Sequence, residues 1–392
     1  MDAASPIASA IERPRPFRPA LLLLATLTVY ALLWPAVPGD MINFVIPWLD
    51  HILAQGRVGA FATPFSNYTP PYLYLLALIS PLVVVMSKVS LIKSLSVAGT
   101  VLLALAARQL IRPAGSEARD DSWLWLPLLP SVAVNAANFG QCDAIWSAAC
   151  VMAVASAVSN RTLPMLGWFG VAISFKAQAL FLGPFVALRL VQGRTPLVLW
   201  LTPIAICSLA MLPAALAGWP LGDLATIYLR QAEWNPAFVS TAASPWSVLQ
   251  LLAPDSAHNW FWLGYLGAGA AALVYVVAYR ARELAKGDLI ALALLGSCLL
   301  PFFLPKMHER FFFLSEVLAF ILAFSERDRR SVLVFWLVQG AWVLAMAGAI
   351  FDAPVAGIVG AGAIACAMLL LIDRLRSCSA RAEWRLIADA SA

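Results

Sequence analysis

Within a largely apolar chain of 392 residues, the densest set of titratable side chains is Pro305-Lys306-Met307-His308-Glu309-Arg310. Ionisable groups this close to the apolar run Phe311 to Phe324 are costly at membrane depth unless they pair or serve a site. That run is too short to span a bilayer alone, which predicts that the charged residues form the first turns of the same helix, opening at Pro305. On such a helix Lys306, Glu309 and Arg310 share one face and Glu316 extends it, making an anion site from the helix N-terminus and two cations. Ion pairing of Glu309 with Lys306 or Arg310 is the structural alternative.

Lys176 is the lone charge between Thr162 and Leu188, in Ser174-Phe175-Lys176-Ala177-Gln178. It reads either as a counter-charge to a phosphate or carboxylate or as a snorkelling side chain. Asp40, just past the first apolar run, is a general base in a partly dry setting or an acid that only ends a helix. Asn135, Asn138, Gln141 and Asp143 ask for a polar cavity, although capping by Asp143 explains part of the cluster. Arg230, in Tyr228-Leu229-Arg230-Gln231-Ala232-Glu233-Trp234, offers a further cation and an aromatic platform for a sugar ring. Asp50 and His51 fall on an amphipathic interfacial helix and are left to solvation. Asp40 and Asp143 could hold a divalent ion, but no dense carboxylate cluster demands one, so neither metal nor cofactor is expected.

The elements that hold these residues are set by composition. Hydrophobic residues make up 62% of the chain and charged ones 12%, with a mean hydropathy of +0.82, which excludes a soluble domain. The fold class expected is all-α: a polytopic transmembrane bundle of about 10 to 13 spans. Residues 1 to 18 form a cytoplasmic tail, 19 to 373 one transmembrane domain, and 374 to 392 a second cytoplasmic tail. Two longer loops, 38 to 69 and 218 to 258, face outward by the positive-inside rule. The first span, 19 to 37, is an uncleaved anchor. The net charge of +5 sits mostly in short loops, where it sets orientation, and argues against a nucleic-acid partner. The six cysteines show no paired spacing and predict no disulfide or zinc site. If every apolar run from 70 to 217 crosses once, Arg108, Arg112, Arg119 and Arg161 lie outside, against the rule; if 94 to 111 dips without crossing and 163 to 190 is two half-helices meeting at Lys176, they return inside, and this second arrangement is the one expected. The latter segment would otherwise be about 42 Å of helix in a core of about 30 Å.

Taken in order, Gly39-Asp40, Tyr68-Thr69-Pro70-Pro71-Tyr72-Leu73, Gly140-Gln141-Cys142-Asp143, Phe175-Lys176-Ala177-Gln178 and Lys306-Met307-His308-Glu309-Arg310 resemble bacterial integral-membrane glycosyltransferases of the GT-C superfamily. The similarity is greatest to the branch related to the dolichyl-phosphate-glucose and dolichyl-phosphate-mannose enzymes, and covers roughly residues 19 to 325. The resemblance implies a GT-C-like bundle in the bacterial inner membrane. It implies inverting transfer of a hexose from a polyprenyl-phosphate donor to a lipid or envelope-glycan acceptor on the outer face. Asp40 is then the catalytic base, and Gln141, Asp143, Lys176, Gln178, Arg230, Lys306, His308, Glu309 and Arg310 bind substrate. Where family members often carry Lys-Pro-Gln, this chain has Lys176-Ala177-Gln178.

The residues themselves agree, because a departing polyprenyl phosphate needs cations at the membrane surface and an acceptor hydroxyl needs a base. The competing class is a transporter or flippase of a lipid-linked sugar or another anionic substrate, which also places charges at membrane depth. Against it stand the absence of an internal repeat and the clustering of charges beside outward loops.

Overall fold

The computed structural model describes residues 18–111, 121–233, 242–253, 257–282 and 284–390. No β-strand occurs among them, as expected where each backbone polar group must be satisfied within its own segment. The helices are α1 (Arg18–Leu33), α2 (Ile46–Gln55), α3 (Pro70–Ile79), α4 (Lys88–Ile111), α5 (Asp143–Val158), α6 (Thr162–Phe175), α7 (Gly183–Gln192) and α8 (Thr202–Ala217). They continue with α9 (Leu221–Glu233), α10 (Trp246–Leu252), α11 (Phe261–Tyr279), α12 (Lys286–Phe303), α13 (Phe313–Glu326), α14 (Arg329–Phe351) and α15 (Pro354–Ala390). Six described helical segments are long and apolar enough to cross a membrane: Lys88–Ile111, Leu197–Ala217, Phe261–Tyr279, Lys286–Phe303, Arg329–Phe351 and Pro354–Ser377.

Apolar residues cover every face of most of these helices, so position in the bundle decides what each face meets. α12 and α13 are enclosed, with Ile290, Leu292, Leu294, Val317, Phe320 and Ile321 fully buried. α8 instead turns Ile204, Leu209, Leu212 and Leu216 outward, as a lipid-facing helix does. Small residues set the closest approaches: at Gly170 of α6 a Cβ would lie 2.9 Å from Pro203 Cα of α8.

One end of the bundle carries Asp40, Asp143, Lys176 and Arg310 around a cavity. The α5–α6 turn at Asn160 and Arg161, the turn at Arg194 after α7, Arg280 and Arg282 after α11, and Arg327 to Arg330 before α14 lie at the other end. Applied to this arrangement, the positive-inside rule predicts a cytoplasmic arginine-bearing end and an outward-opening cavity. Arg108 and Arg161 thus share the end away from the cavity, by a route different from the one expected. α4 itself runs between the two ends, with Lys88 pairing with Asp50 at 2.5 Å on the cavity side and Arg108 over the Trp123 ring at the other. The segment expected to cross before it, 70 to 87, begins and ends on the cavity side, because ten α-helical residues and a short 3₁₀ turn return it to the level of Lys88. Arg112 and Arg119, with the residues before Arg18, lie outside the described residues.

The expected break at Lys176 is present: α6 stops at Phe175, Lys176 is extended (φ −160°, ψ 138°), and 3₁₀ turns over Ala177–Leu182 lead into α7. α15 runs on through residue 373, the expected C-terminal boundary of the membrane domain. Arg374, the first residue of the expected tail, pairs with Glu326 at 2.6 Å and Asp328 at 2.9 Å.

Candidate active site

Lys93, inside α4, begins the positioning of Asp40. Its buried Nζ donates to the carbonyls of Trp34 (2.7 Å) and Ala36 (2.6 Å), satisfying oxygens left open where α1 ends. The chain then turns through Pro38 and Gly39 so that Asp40 opens the next helical run at the cavity mouth, its side chain 39% exposed. No feature of the sequence other than a lysine in an apolar helix signals this anchor.

The Gly140-Gln141-Cys142-Asp143 turn supplies the floor. Gly140 has φ +61°, a left-handed backbone that favours glycine, and the Met41 side chain packs over it. Gln141 accepts a hydrogen bond from Tyr68 Oη at 3.0 Å. Asp143, with a side chain 5% exposed, accepts from Lys176 Nζ (2.6 Å), Trp146 Nε1 (2.8 Å) and Asn135 Nδ2 (2.8 Å). The carboxylate thus has three donors, one of them a cation, which explains why Lys176 is tolerated in the chain interior. Lys176 also lies over the Tyr68 ring, 5.1 Å from its centroid. Burial raises the Tyr68 hydroxyl to about 12, so it remains a donor at neutral pH.

Lys306 to Arg310 do not form the first turns of α13. Pro305 forces Leu304 into extended backbone (ψ 142°), Lys306 adopts φ +62°, and the chain turns through Glu309 to Phe312 before α13 starts at Phe313. The shared helical face is therefore absent. A loop instead turns Lys306, His308 and Arg310 to the cavity while Glu309 stays outside its lining. Glu309 Oε1 holds Arg310 Nε at 3.1 Å, and Asp40 Oδ2 holds Arg310 Nη2 at 2.6 Å. Burial lowers His308 below its ordinary range, with Arg310 and Lys176 adding to the effect and Glu309 and Asp40 opposing it. Glu316 does not extend this group: it is fully buried among the helices of α13's surroundings, away from the cavity lining.

The cavity measures about 630 Å³ and brings together Asp40, Gln141, Asp143, Lys176, Gln178, Lys306, His308 and Arg310. Its other wall is apolar, formed by Phe181, Leu300, Leu304 and Phe311. Arg230 is not part of it. On the amphipathic α9 Arg230 points to the exposed side and pairs with Asp223 at 2.7 Å, while Gln231, one position on and about 100° around the helix, lines the cavity. Gln231 donates to the Asn67 carbonyl at 3.2 Å, joining the two long loops. Tyr228, from the segment expected to offer an aromatic platform, lines the cavity, as do Asn67, Tyr68 and Gln231, to which the sequence assigns no role of their own. Trp234 lies outside the described residues. Asp50 and His51 sit on α2, occupied by Lys88 and by stacking on Phe65 at 4.3 Å.

The carboxylates that line the cavity are already partnered. Asp143 is spent on Lys176, Asn135 and Trp146, Asp40 is paired with Arg310, and no group of three or more His, Cys, Asp or Glu converges among the described residues. Chemically the arrangement offers two or three cations for an anion, one accessible carboxylate, and an apolar wall. The chain matches no protein-family model, and no curated protein matches it.

Proposed function

We propose that the protein is an inverting glycosyltransferase that moves a hexose from a polyprenyl-phosphate donor to a hydroxyl of a lipid or glycan acceptor at the outer face of a bacterial inner membrane. The observation that carries this reading is the juxtaposition, in one outward cavity, of Asp40 with Lys176, Lys306 and Arg310 against the apolar wall of Phe181 and Phe311. A lipid phosphate has this division of character, an anionic head on an apolar chain.

The acceptor oxygen attacks the anomeric carbon from the side opposite the phosphate, the bond from that carbon to the phosphate oxygen breaks, and the hydroxyl proton passes to Asp40. The negative charge left on polyprenyl phosphate is stabilised by Lys176, Lys306 and Arg310. Arg310 is shared between Asp40 and Glu309 before the donor arrives. An incoming phosphate competes for that guanidinium and frees Asp40 Oδ2 for the acceptor proton, so donor binding prepares the base.

The alternative is transport or flipping of a lipid-linked sugar. Cations collected at one end of the bundle, rather than at a midplane shared by two repeats, favour transfer. Protein purified in detergent and given radiolabelled polyprenyl-phosphate mannose or glucose, with an extract of envelope lipids as acceptor, separates the two. Transfer of label that is lost in Asp40→Asn supports the transferase. Intact donor after prolonged incubation with every acceptor, together with donor flipping in proteoliposomes, would replace it with the transporter.

A further inference from the structure

A second cavity, of about 170 Å³, lies at the opposite end of the bundle where α5, α6 and α7 meet. Its distance from Asp143 is about 24 Å, the length of α5 at 1.5 Å per residue. It is lined by Asn160, Arg161, Thr162, Arg189 and Gly193 among others. Arg189 donates through Nη1 to Gln192 Oε1 (2.6 Å) and through Nη2 to Asn160 Oδ1 (3.0 Å), both neutral oxygens, while its buried Nε has no hydrogen-bond partner. Neither Arg161 nor Arg189 takes part in an ion pair among the described residues.

The backbone adds to the same sign. α6 begins at Thr162 with no side-chain cap on its first amides, and Pro164 contributes no N–H, so the amides of Thr162 and Leu163 close no intrahelical bond. The turn before them is set by Asn160, at φ +53°, which also holds Arg189. Arg161, Arg189 with its buried unused donor, and Thr162 at a bare helix start therefore line one small space. Leu163, 58% exposed, follows Thr162 in the chain, and Val191, 37% exposed, lies between Arg189 and Gly193, so both offer apolar surface near these lining residues in sequence.

We propose that this cavity binds a phosphate group on the cytoplasmic side, independently of the outward cavity. The chemistry is that of a phosphate ester held by the forks of Arg161 and Arg189 and by the first amides of α6. Such a group can come from an anionic phospholipid headgroup, with its chains over Leu163 and Val191, or from a soluble phosphate compound.

Full-length protein in neutral detergent is tested with mixed micelles containing phosphatidylglycerol, with phosphatidylcholine micelles, and with inorganic phosphate, following Tm and lipid adducts by native mass spectrometry. Two variants keep the fold: Arg161→Gln changes an exposed side chain, and Thr162→Asp puts a carboxylate at a helix start, where it is favourable. Phosphatidylglycerol should raise Tm and give retained adducts in the wild type. Half-saturation should need at least about fivefold more lipid in Arg161→Gln, and Thr162→Asp should not respond, because its own carboxylate fills the site. A response to phosphatidylglycerol alone assigns the lipid headgroup, and a response to inorganic phosphate as well assigns a soluble ligand. No shift in the wild type, or equal shifts in all three proteins, overturns the proposal, since equal shifts belong to another site such as the outward cavity.

Discussion

Arg310 Nη2 stands 2.6 Å from Asp40 Oδ2 while Arg310 Nε stands 3.1 Å from Glu309 Oε1, so one guanidinium joins the end of the first span to the loop before α13 across 270 residues. The planar fork matters here because two carboxylates are held by two separate edges of it. Arg310→Lys retains the charge but serves one carboxylate at a time. It should fold normally and weaken donor binding by roughly 10- to 100-fold, the equivalent of about 1.5 to 3 kcal/mol for one charge-assisted contact. Arg310→Ala should in addition lower Tm, because Glu309, with a side chain only 11% exposed, loses its cation. Equal donor affinity in wild type and Arg310→Lys, measured with a donor analogue, would remove Arg310 from the phosphate site.

Asp40→Asn keeps shape and a partner for Arg310 while removing the base. Turnover should fall by at least about 10²-fold with donor affinity retained within a few-fold, as expected where only proton transfer is lost. Turnover near the wild-type rate would show that another group takes the proton.

Lys176 and Asp143 must be tested together. Lys176→Ala alone leaves the buried Asp143 carboxylate without its cation and should cost about 3 to 5 kcal/mol, so lost activity in that variant says little about the site. The pair Lys176→Met with Asp143→Asn removes both charges at similar volume and should recover most of the Tm. Transfer should stay low in the double variant if Lys176 contacts the donor phosphate. Recovery of both Tm and turnover would make the pair purely structural.

His308 gives a pH signature. Its pKa is lowered in the folded protein, chiefly by burial, so the unfolded chain binds the proton more readily. The resulting stability is present above about pH 6.5, the ordinary imidazole value, and is lost as pH falls through the lower folded value. The wild type should therefore lose more Tm than His308→Gln between pH 7.5 and pH 5. Equal losses would mean that the imidazole titrates as freely in the folded state as in the unfolded one.

The pattern of legibility follows from what each element asks of the sequence. Lys176 was legible because a lone cation in a long apolar segment has few outcomes, and the break there shows in length alone. Asp40, Gln141 and Asp143 were legible from their place at the ends of apolar runs. Lys306 to Arg310 were found but given the wrong backbone, because the length rule favours one long helix and is blind to the positive φ of Lys306. Arg230 failed for a local reason: neighbours on an amphipathic helix face different ways, and hydrophobicity does not tell which polar face meets the cavity. The segments 70 to 87 and 94 to 111 exchanged roles because arginine counts fix the side of a loop and not which of two apolar runs makes the crossing.

The outward placement of the cavity can be tested chemically, although not at Cys142, which is 1% exposed and whose thiol burial raises to about 12. Gln231 lines the cavity and Arg194 is exposed in the turn after α7 at the other end, so cysteines at these positions report opposite faces. In a background with Cys207, Cys366 and Cys378 replaced by alanine, Cys142, Cys150 and Cys298 stay buried and silent. A membrane-impermeant maleimide applied to intact spheroplasts should modify Gln231→Cys and spare Arg194→Cys, and inside-out vesicles should give the reverse. A bound donor analogue should slow labelling at position 231 and leave position 194 unchanged. Labelling of Arg194→Cys from intact spheroplasts, with Gln231→Cys reached only in inside-out vesicles, would turn the molecule over and put Asp40, Lys176 and Arg310 on the cytoplasmic face, where transfer to an outer acceptor cannot occur.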